Sequence, residues 1–205
     1  DAIVHLAALN RHGDPEQIYK TNVRLVRELI SALEDTGTTP HVLFSSSTQE
    51  ESGNPYGRSK KEGRELLAGW ARRTGALFTG MVIPNVYGPF GHPYYNSVVA
   101  TFCHQLTHGE KPAVEVNKEM RLIYVGELAQ LIGSMILQGI SDPHYEVMHT
   151  GEAKVTEILE LLEGFDADYV EKGEIPVLEN SFQRNLFNTF RCYMDIPDHF
   201  PVMLK

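Results

Sequence analysis

Along the chain, short apolar runs alternate with longer segments in which apolar residues recur every three or four positions. Residues 2–7, Ala-Ile-Val-His-Leu-Ala, read as a buried strand. Asp14-Pro15-Glu16-Gln17 then supplies an N-cap, a proline at the first helical position and a glutamine at the capping-box position. Val23, Val26, Ile30 and Leu33 follow at helical spacing, Leu25 and Leu29 widen the apolar face, and Gly37 is placed to end a helix of about five turns. Beyond Pro40, residues 41–46 form a second apolar strand that runs into hydroxyls. Gly53-Asn54-Pro55 is turn chemistry, and 56–73 predicts a second helix.

The alternation continues with strands over 76–83, 122–125 and 145–149 and helices over 97–107, 127–137 and 155–162. Strand-then-helix order throughout predicts an α/β fold with a parallel sheet and helices on its faces. Past Phe165 the pattern weakens to one helix around 178–193 and a Pro-bounded tail, 195–201, that reads as a linker.

Composition narrows the function. Lys and Arg total 18 against 27 Asp and Glu, a net charge of −9, so broad binding to a phosphate backbone is excluded. A small anionic ligand in one local cationic pocket stays open. No apolar run approaches the ~20 residues of a membrane span, and no basic-then-apolar leader opens the chain. Cys103 and Cys192 stand far apart in no metal-ligand spacing, which suits free thiols in a reducing cytoplasm. The chain opens directly on a buried strand, so it is expected to be a fragment.

The chemistry concentrates in one stretch, where Ser45-Ser46-Ser47 ends a strand and Tyr56-Gly57-Arg58-Ser59-Lys60 opens the following helix. Tyr56 and Lys60 are four apart and share a helix face. A free tyrosine titrates near pH ~10, and a neighbouring ammonium favours the phenolate, so Lys60 is expected to lower the Tyr56 pKa. A hydroxyl at the strand end can hold a substrate oxygen while Tyr56 gives or takes its proton. Other features read as structure. His104 and His108 lack the glutamate of a zinc-protease helix, so no metal site is expected. Ser45 and Ser46 sit in no nucleophile elbow, and the acidic residues of 157–163 form a solvated helix face.

These residues resemble the extended short-chain dehydrogenase/reductases, the NAD-dependent epimerase/dehydratase family of sugar-nucleotide enzymes. Residues 1–8 are similar to the family's strand beside the cofactor, and Thr21-Asn22-Val23 to its following helix, where the Asn supports the active-site backbone. Phe44-Ser45-Ser46-Ser47 resembles the segment whose last Ser is catalytic, and Tyr56/Lys60 the catalytic pair. Pro84-Asn85-Val86-Tyr87-Gly88-Pro89 is similar to the loop that touches nicotinamide and substrate, and Met148-His149-Thr150-Gly151 to a late strand of the substrate subdomain. The resemblance runs to about Gly164. Within the family, 54–57, 95–103 and 185–190 are similar to its capsular-polysaccharide reductase branch, in which a cupin domain follows the reductase.

The resemblance implies a Rossmann-like parallel sheet, incomplete at the N-terminus, with a small C-terminal substrate-binding subdomain. The expected division is a partial cofactor and catalytic core over 1–93, then the remaining Rossmann elements, the subdomain and the linker over 94–205. It implies NADP(H) or NAD(H) as cofactor, a UDP-sugar substrate, a homodimer formed by helices 15–33 and 56–73, and a cytoplasmic enzyme. Ser47, Tyr56 and Lys60 would be catalytic. Leu6, Ala7, Ala8, Asn22, Ser45, Ser46, Tyr56, Lys60, Ile83 and Pro84 would contact the cofactor. Arg11, Asn85, Asn96, Ser97 and Arg121 would bind the substrate.

Three departures qualify this. No two glycines are separated by a single residue, so the Gly-x-Gly of a pyrophosphate loop is absent from these 205 residues and the chain alone is expected to bind dinucleotide poorly. Val82 stands where many relatives carry Arg, and Arg121 lies one position from the usual substrate-phosphate Arg. The activities that remain are reduction of a UDP-linked 4-keto-6-deoxy-amino sugar, 4-epimerisation or dehydration within the same family, and a non-catalytic dinucleotide-binding domain. Dehydratases carry an acidic pair after the catalytic hydroxyl, where this chain has Thr48-Gln49.

Overall fold

Two capped helices organise the first part of the chain. Asp14 accepts a hydrogen bond from the Glu16 amide at 3.0 Å, Pro15 takes the first helical position, and α1 (Pro15–Thr36) ends at Gly37 in the left-handed conformation, φ 62°. Gln17 does not complete a capping box; its side chain donates to Thr21 at 3.0 Å. The second helix, α2 (Pro55–Thr74), opens in the same way, with Asn54 accepting from the Gly57 amide at 2.7 Å, and closes at Gly75, φ 76°.

The computed structural model describes residues 1–195. Its strands are β1 (Ala2–His5), β2 (His41–Ser47), β3 (Phe78–Ile83), β4 (Asn85–Tyr87), β5 (Glu119–Tyr124), β6 (Asp142–Glu146) and β7 (Gly151–Lys154). The remaining helices are α3 (Val98–Thr107), α4 (Val125–Gln138), α5 (Val155–Phe165) and α6 (Ser181–Arg191). A 3₁₀ turn, Thr48–Ser52, follows β2, and a π turn, Asp166–Glu171, follows α5. The linker predicted over 195–201 lies, but for Asp195, outside the described residues. No helix among the described residues is long and apolar enough to cross a membrane.

The described chain forms two units. The first comprises Asp1–Pro84 and Ala129–Met148, the second Asn85–Leu128 and the described chain from His149 onward. They are discontinuous in sequence, whereas the expected division at 93/94 is a single cut. In the first unit, β1, β2, β3 and β6 lie in that order in one wholly parallel sheet, the Rossmann-like pattern expected of the strand–helix alternation. Val26 and Leu33 of α1, Val42 and Phe44 of β2, Leu67 and Trp70 of α2 and Phe78 of β3 form its core. Trp70 and Leu67 are fully buried, each contributing roughly 1.5–3 kcal/mol of apolar burial. Every residue of β3 is buried, as a strand covered on both faces requires.

In the second unit, β5 pairs in parallel with β4 and antiparallel with β7. Along β5, Met120 and Leu122 point into a core shared with α3, α5 and α6, while Glu119 and Arg121 face out. Cys103 is buried in that core, Cys192 is exposed, and both are free.

Candidate active site

In the first unit, parallel strands bring the carboxyl ends of β1 and β2 side by side, the position at which open α/β sheets take ligands. β2 delivers Ser45, Ser46 and Ser47 there, and α2 starts with Tyr56 in its first turn. Ser47 is half-buried and extended, φ −149°, and caps the 3₁₀ turn: its Oγ accepts from the Gln49 amide at 3.2 Å. With that oxygen accepting, the hydroxyl proton is the group left to donate.

Lys60 is 3% exposed. Its Nζ donates to the Ser45 carbonyl at 2.8 Å, lies 3.4 Å from Ser45 Oγ, and stands 5.0 Å from the centre of the Phe44 ring and 5.6 Å from that of Tyr56. Phe44 packs closely over Gly63, where a Cβ would lie 3.0 Å from the Phe44 ring. Burial without a carboxylate partner pushes Lys60 down from its usual value to about 8. Burial also raises the Tyr56 phenol. This corrects the expectation that the neighbouring ammonium would lower it: the shift is upward, and desolvation of the phenolate is its cause.

Asn22 ties the chain after β1 to this turn. Buried on α1, it accepts from the Leu9 amide at 2.7 Å and donates to the Leu9 carbonyl and to Ser59 Oγ, each at 3.0 Å. Ser59 in turn donates to the Tyr56 carbonyl at 2.7 Å. One side chain thus fixes the loop after β1 and the first turn of α2 together. In that loop Leu6 and Ala7 are exposed, Ala8 is half-buried and Arg11 is exposed. Ser45 Oγ donates to the His5 carbonyl at 3.2 Å. Ile83 and Pro84 are buried at the end of β3. Ser46 is buried and turned the other way, its hydroxyl donating to the Glu50 carboxylate.

The remaining residues expected to bind substrate lie in the second unit. Asn85 donates to the Arg121 carbonyl at 3.3 Å across the β4–β5 pair. Arg121 is exposed and its Nε lies 3.2 Å from Glu152 on β7, while Met120, one position earlier, is in the core. Asn96 is exposed, and Ser97 caps α3, accepting from the Ala100 amide at 3.2 Å.

Sequence reasoning passed over Glu50 and Arg64. Arg64 binds both oxygens of Glu50, at 2.8 and 2.7 Å, and donates to the Pro143 carbonyl at 3.0 Å. The one available signal was an arginine on the buried stripe of α2, in step with Lys60, Gly63 and Leu67.

The family model of the NAD dependent epimerase/dehydratase family matches residues 1–151. The chain belongs to this family. It is 35% identical over 133 residues to a UDP-2-acetamido-2,6-beta-L-arabino-hexul-4-ose reductase of Pseudomonas aeruginosa, an alignment covering 63% of this chain and 35% of that protein. The capsular polysaccharide assembling protein CapF of Staphylococcus aureus superposes with a TM-score of 0.81 at 29% identity, covering 100% of this chain and 55% of that one. A UDP-glucose 4-epimerase of Thermotoga maritima shares the fold at 20% identity and a TM-score of 0.77, over 94% of this chain and 76% of that one. The chain therefore spans about a third of the curated relative and about half of CapF.

Membership brings a nicotinamide dinucleotide as the cofactor class. The first unit fits one end of it. Lys60 has an ammonium whose contacts to Ser45 leave donor capacity for ribose hydroxyls, beside a neutral phenol. For the pyrophosphate these 205 residues offer no Gly-x-Gly turn.

Proposed function

We propose that the chain carries the catalytic residues of an NAD(P)H-dependent reductase acting on the C4 carbonyl of a UDP-linked 4-keto-6-deoxy-amino sugar, for a capsular or other surface polysaccharide. The observation that carries this reading is a placement: Ser47 at the end of β2, Tyr56 in the first turn of α2, and the buried Lys60 ammonium one turn on, 5.6 Å from the centre of the Tyr56 ring. A tyrosine phenol in that setting is a proton donor at neutral pH. The names borne by the Pseudomonas relative and by CapF support the substrate class and the polysaccharide.

Reduction of a carbonyl needs a hydride at carbon and a proton at oxygen. The nicotinamide, when bound, supplies the hydride. Tyr56 gives its phenolic proton to the oxygen as charge develops there, converting C=O to CH–OH. Ser47 donates a hydrogen bond to the same oxygen, with its own oxygen steadied by the Gln49 amide. The Lys60 ammonium, held on the Ser45 carbonyl, stabilises the phenolate left behind. Leu6, Ala7, Ala8, Ile83 and Pro84 would line the cofactor, Asn22 and Ser45 would fix its surroundings, and Ser46 would contribute through its backbone. Arg11, Asn85, Asn96, Ser97 and Arg121 would contact the nucleotide sugar. As part of this reading, two copies pair through α1 and α2, a cupin domain follows in the full-length protein, and the enzyme is cytoplasmic.

Dehydration is disfavoured by the residues after Ser47. Thr48 and Gln49 carry no carboxyl, and Glu50, the first that does, is buried and held by Arg64. In the full-length protein Tyr56→Phe is expected to lower turnover by about 10²–10⁴-fold with little change in folding. Turnover within a few fold of wild type would overturn the assignment.

A further inference from the structure

Helix α2 reaches the end of β2 twice. Lys60 holds residue 45 through its carbonyl, and one turn later Arg64 grips Glu50, whose carboxylate accepts the Ser46 hydroxyl. Side-chain exposure is 11% for Arg64 and 3% for Glu50. Arg64 gets there by crossing β3 at Gly80, where a Cβ would lie 2.7 Å from Arg64 Cγ and Cδ and 2.5 Å from the Pro143 carbonyl oxygen. The same turn is pressed from its other side: a Cβ on Gly57 would lie 1.9 Å from the Gln49 carbonyl oxygen. Residues 46 to 50 are thus fixed at Ser46 and Glu50 by the ion pair and at Gln49 by α2. Ser47 sits between, and its Oγ is held by the Gln49 amide of that turn.

A buried ion pair is a poor source of net stability, because desolvating two charges offsets their attraction. The pair's geometry is more telling. It is bidentate, it takes a third contact on the Pro143 carbonyl, and it needs a glycine at 80 to exist. Burial alone would raise the Glu50 pKa, yet Arg64 and the Ser46 hydroxyl outweigh it and hold the carboxyl below its usual range. The charge is kept, so the carboxylate serves as a fixed acceptor and not as an acid.

We propose that Glu50 and Arg64 are positioning residues for the Ser47 hydroxyl: the buried pair locks the 3₁₀ turn whose Gln49 amide holds the Ser47 oxygen, so that its proton points at the reacting carbonyl oxygen. This rests on the reading of Ser47 as hydrogen-bond donor given above. Because that bond strengthens as the oxygen gains charge, its misplacement is felt in kcat and little in KM.

The test is a double-mutant cycle in the full-length protein, with kcat, KM, the pH profile and the thermal midpoint measured for each variant. Glu50→Leu with Arg64→Met removes both charges together, which buried pairs tolerate in folding. The pair of changes is expected to lower kcat by about 10–100-fold, with KM and the pH profile of kcat unchanged. In a Ser47→Ala background it should cost nothing further. An equal loss in both backgrounds, or a fully active double variant, overturns the proposal. Ser47→Ala as fast as wild type removes the functional reading, and this inference with it, and is distinguished by the single variant alone. Should the double variant not fold, Ser46→Ala, which leaves both charges paired, goes through the same cycle with the same two outcomes at about 3-fold.

Discussion

The two ends of β2 bury polar groups for different ends. At its start, His41 Nε2 lies 2.9 Å from Thr79 Oγ1, and Thr79 donates to the Ile140 carbonyl. Thr79 must then accept from His41, so Nε2 carries the imidazole proton and every donor in that chain of bonds is used, while the Nδ1 acceptor is buried without a hydrogen-bond partner. At its finish, Lys60, Ser47 and Tyr56 hold donors that the fold does not consume, and only the Ser46–Glu50–Arg64 group beside them is closed. A polar cluster whose donors are all bonded specifies structure. One with donors to spare is a candidate site, and it is bought at the expense of stability.

The largest effect follows from Lys60. Its value falls from 10.5 to about 8 on burial, so between those pH values the unfolded chain binds more protons than the folded one and stability rises with pH. Below pH 8 the folded protein carries the whole penalty. Lys60→Met should therefore remove a pH-dependent penalty of about 3 kcal/mol at pH 7 that is gone near pH 10.5, less the cost of the lost hydrogen bond to the Ser45 carbonyl, while cofactor binding is lost. Denaturant unfolding at several pH values checks this, and a gain independent of pH would contradict it.

Glycines on α2 offer a sharper contrast. Gly57→Ala forces a methyl against the Gln49 carbonyl oxygen and should cost about 1–3 kcal/mol together with much of the activity, since Gln49 holds Ser47. Gly69→Ala, on the same helix, meets only the end of Arg73 at 3.7 Å and should stabilise by up to ~1 kcal/mol with activity intact. Thermal unfolding of the pair separates them.

The smallest effect is at the start of β2. Burial lowers the pKa of His41, and also that of His5, so the unfolded chain takes up protons that the folded one refuses as pH falls below their usual 6.5. Stability should decline from pH 7 toward pH 5, and His41→Gln should flatten part of that slope.

Elements with caps or a long apolar face were legible in the sequence. Asp14 and Gly37 bound α1, Asn54 and Gly75 bound α2, and the strand-helix order gave the parallel sheet. β4 and β7 were missed because three or four residues are too few to show a period. β5 starts three residues before the apolar run at 122–125, because Glu119 to Leu122 alternates outward and inward and so shows no continuous apolar stretch. β6 begins at Asp142 and not at 145; it is an edge strand and so accommodates Pro143.

At the candidate site, the placement of Ser47 at a strand end and of Tyr56 and Lys60 at a helix start was legible because strand end, turn and helix start lie within 14 residues. The direction of the Tyr56 shift was not, since spacing reports a neighbouring charge and says nothing of burial. The Glu50–Arg64 pair was not either: its geometry depends on Gly80 and Pro143, which approach only when the sheet forms.

The central claim is that this site reduces a carbonyl. It is tested most directly by supplying the full-length protein with reduced nicotinamide dinucleotide and a UDP-linked 4-keto sugar and following the nicotinamide absorbance against product. The account predicts one reduced cofactor consumed for each sugar converted, and loss of that consumption in Tyr56→Phe. Conversion of the sugar with no net consumption of cofactor would contradict it.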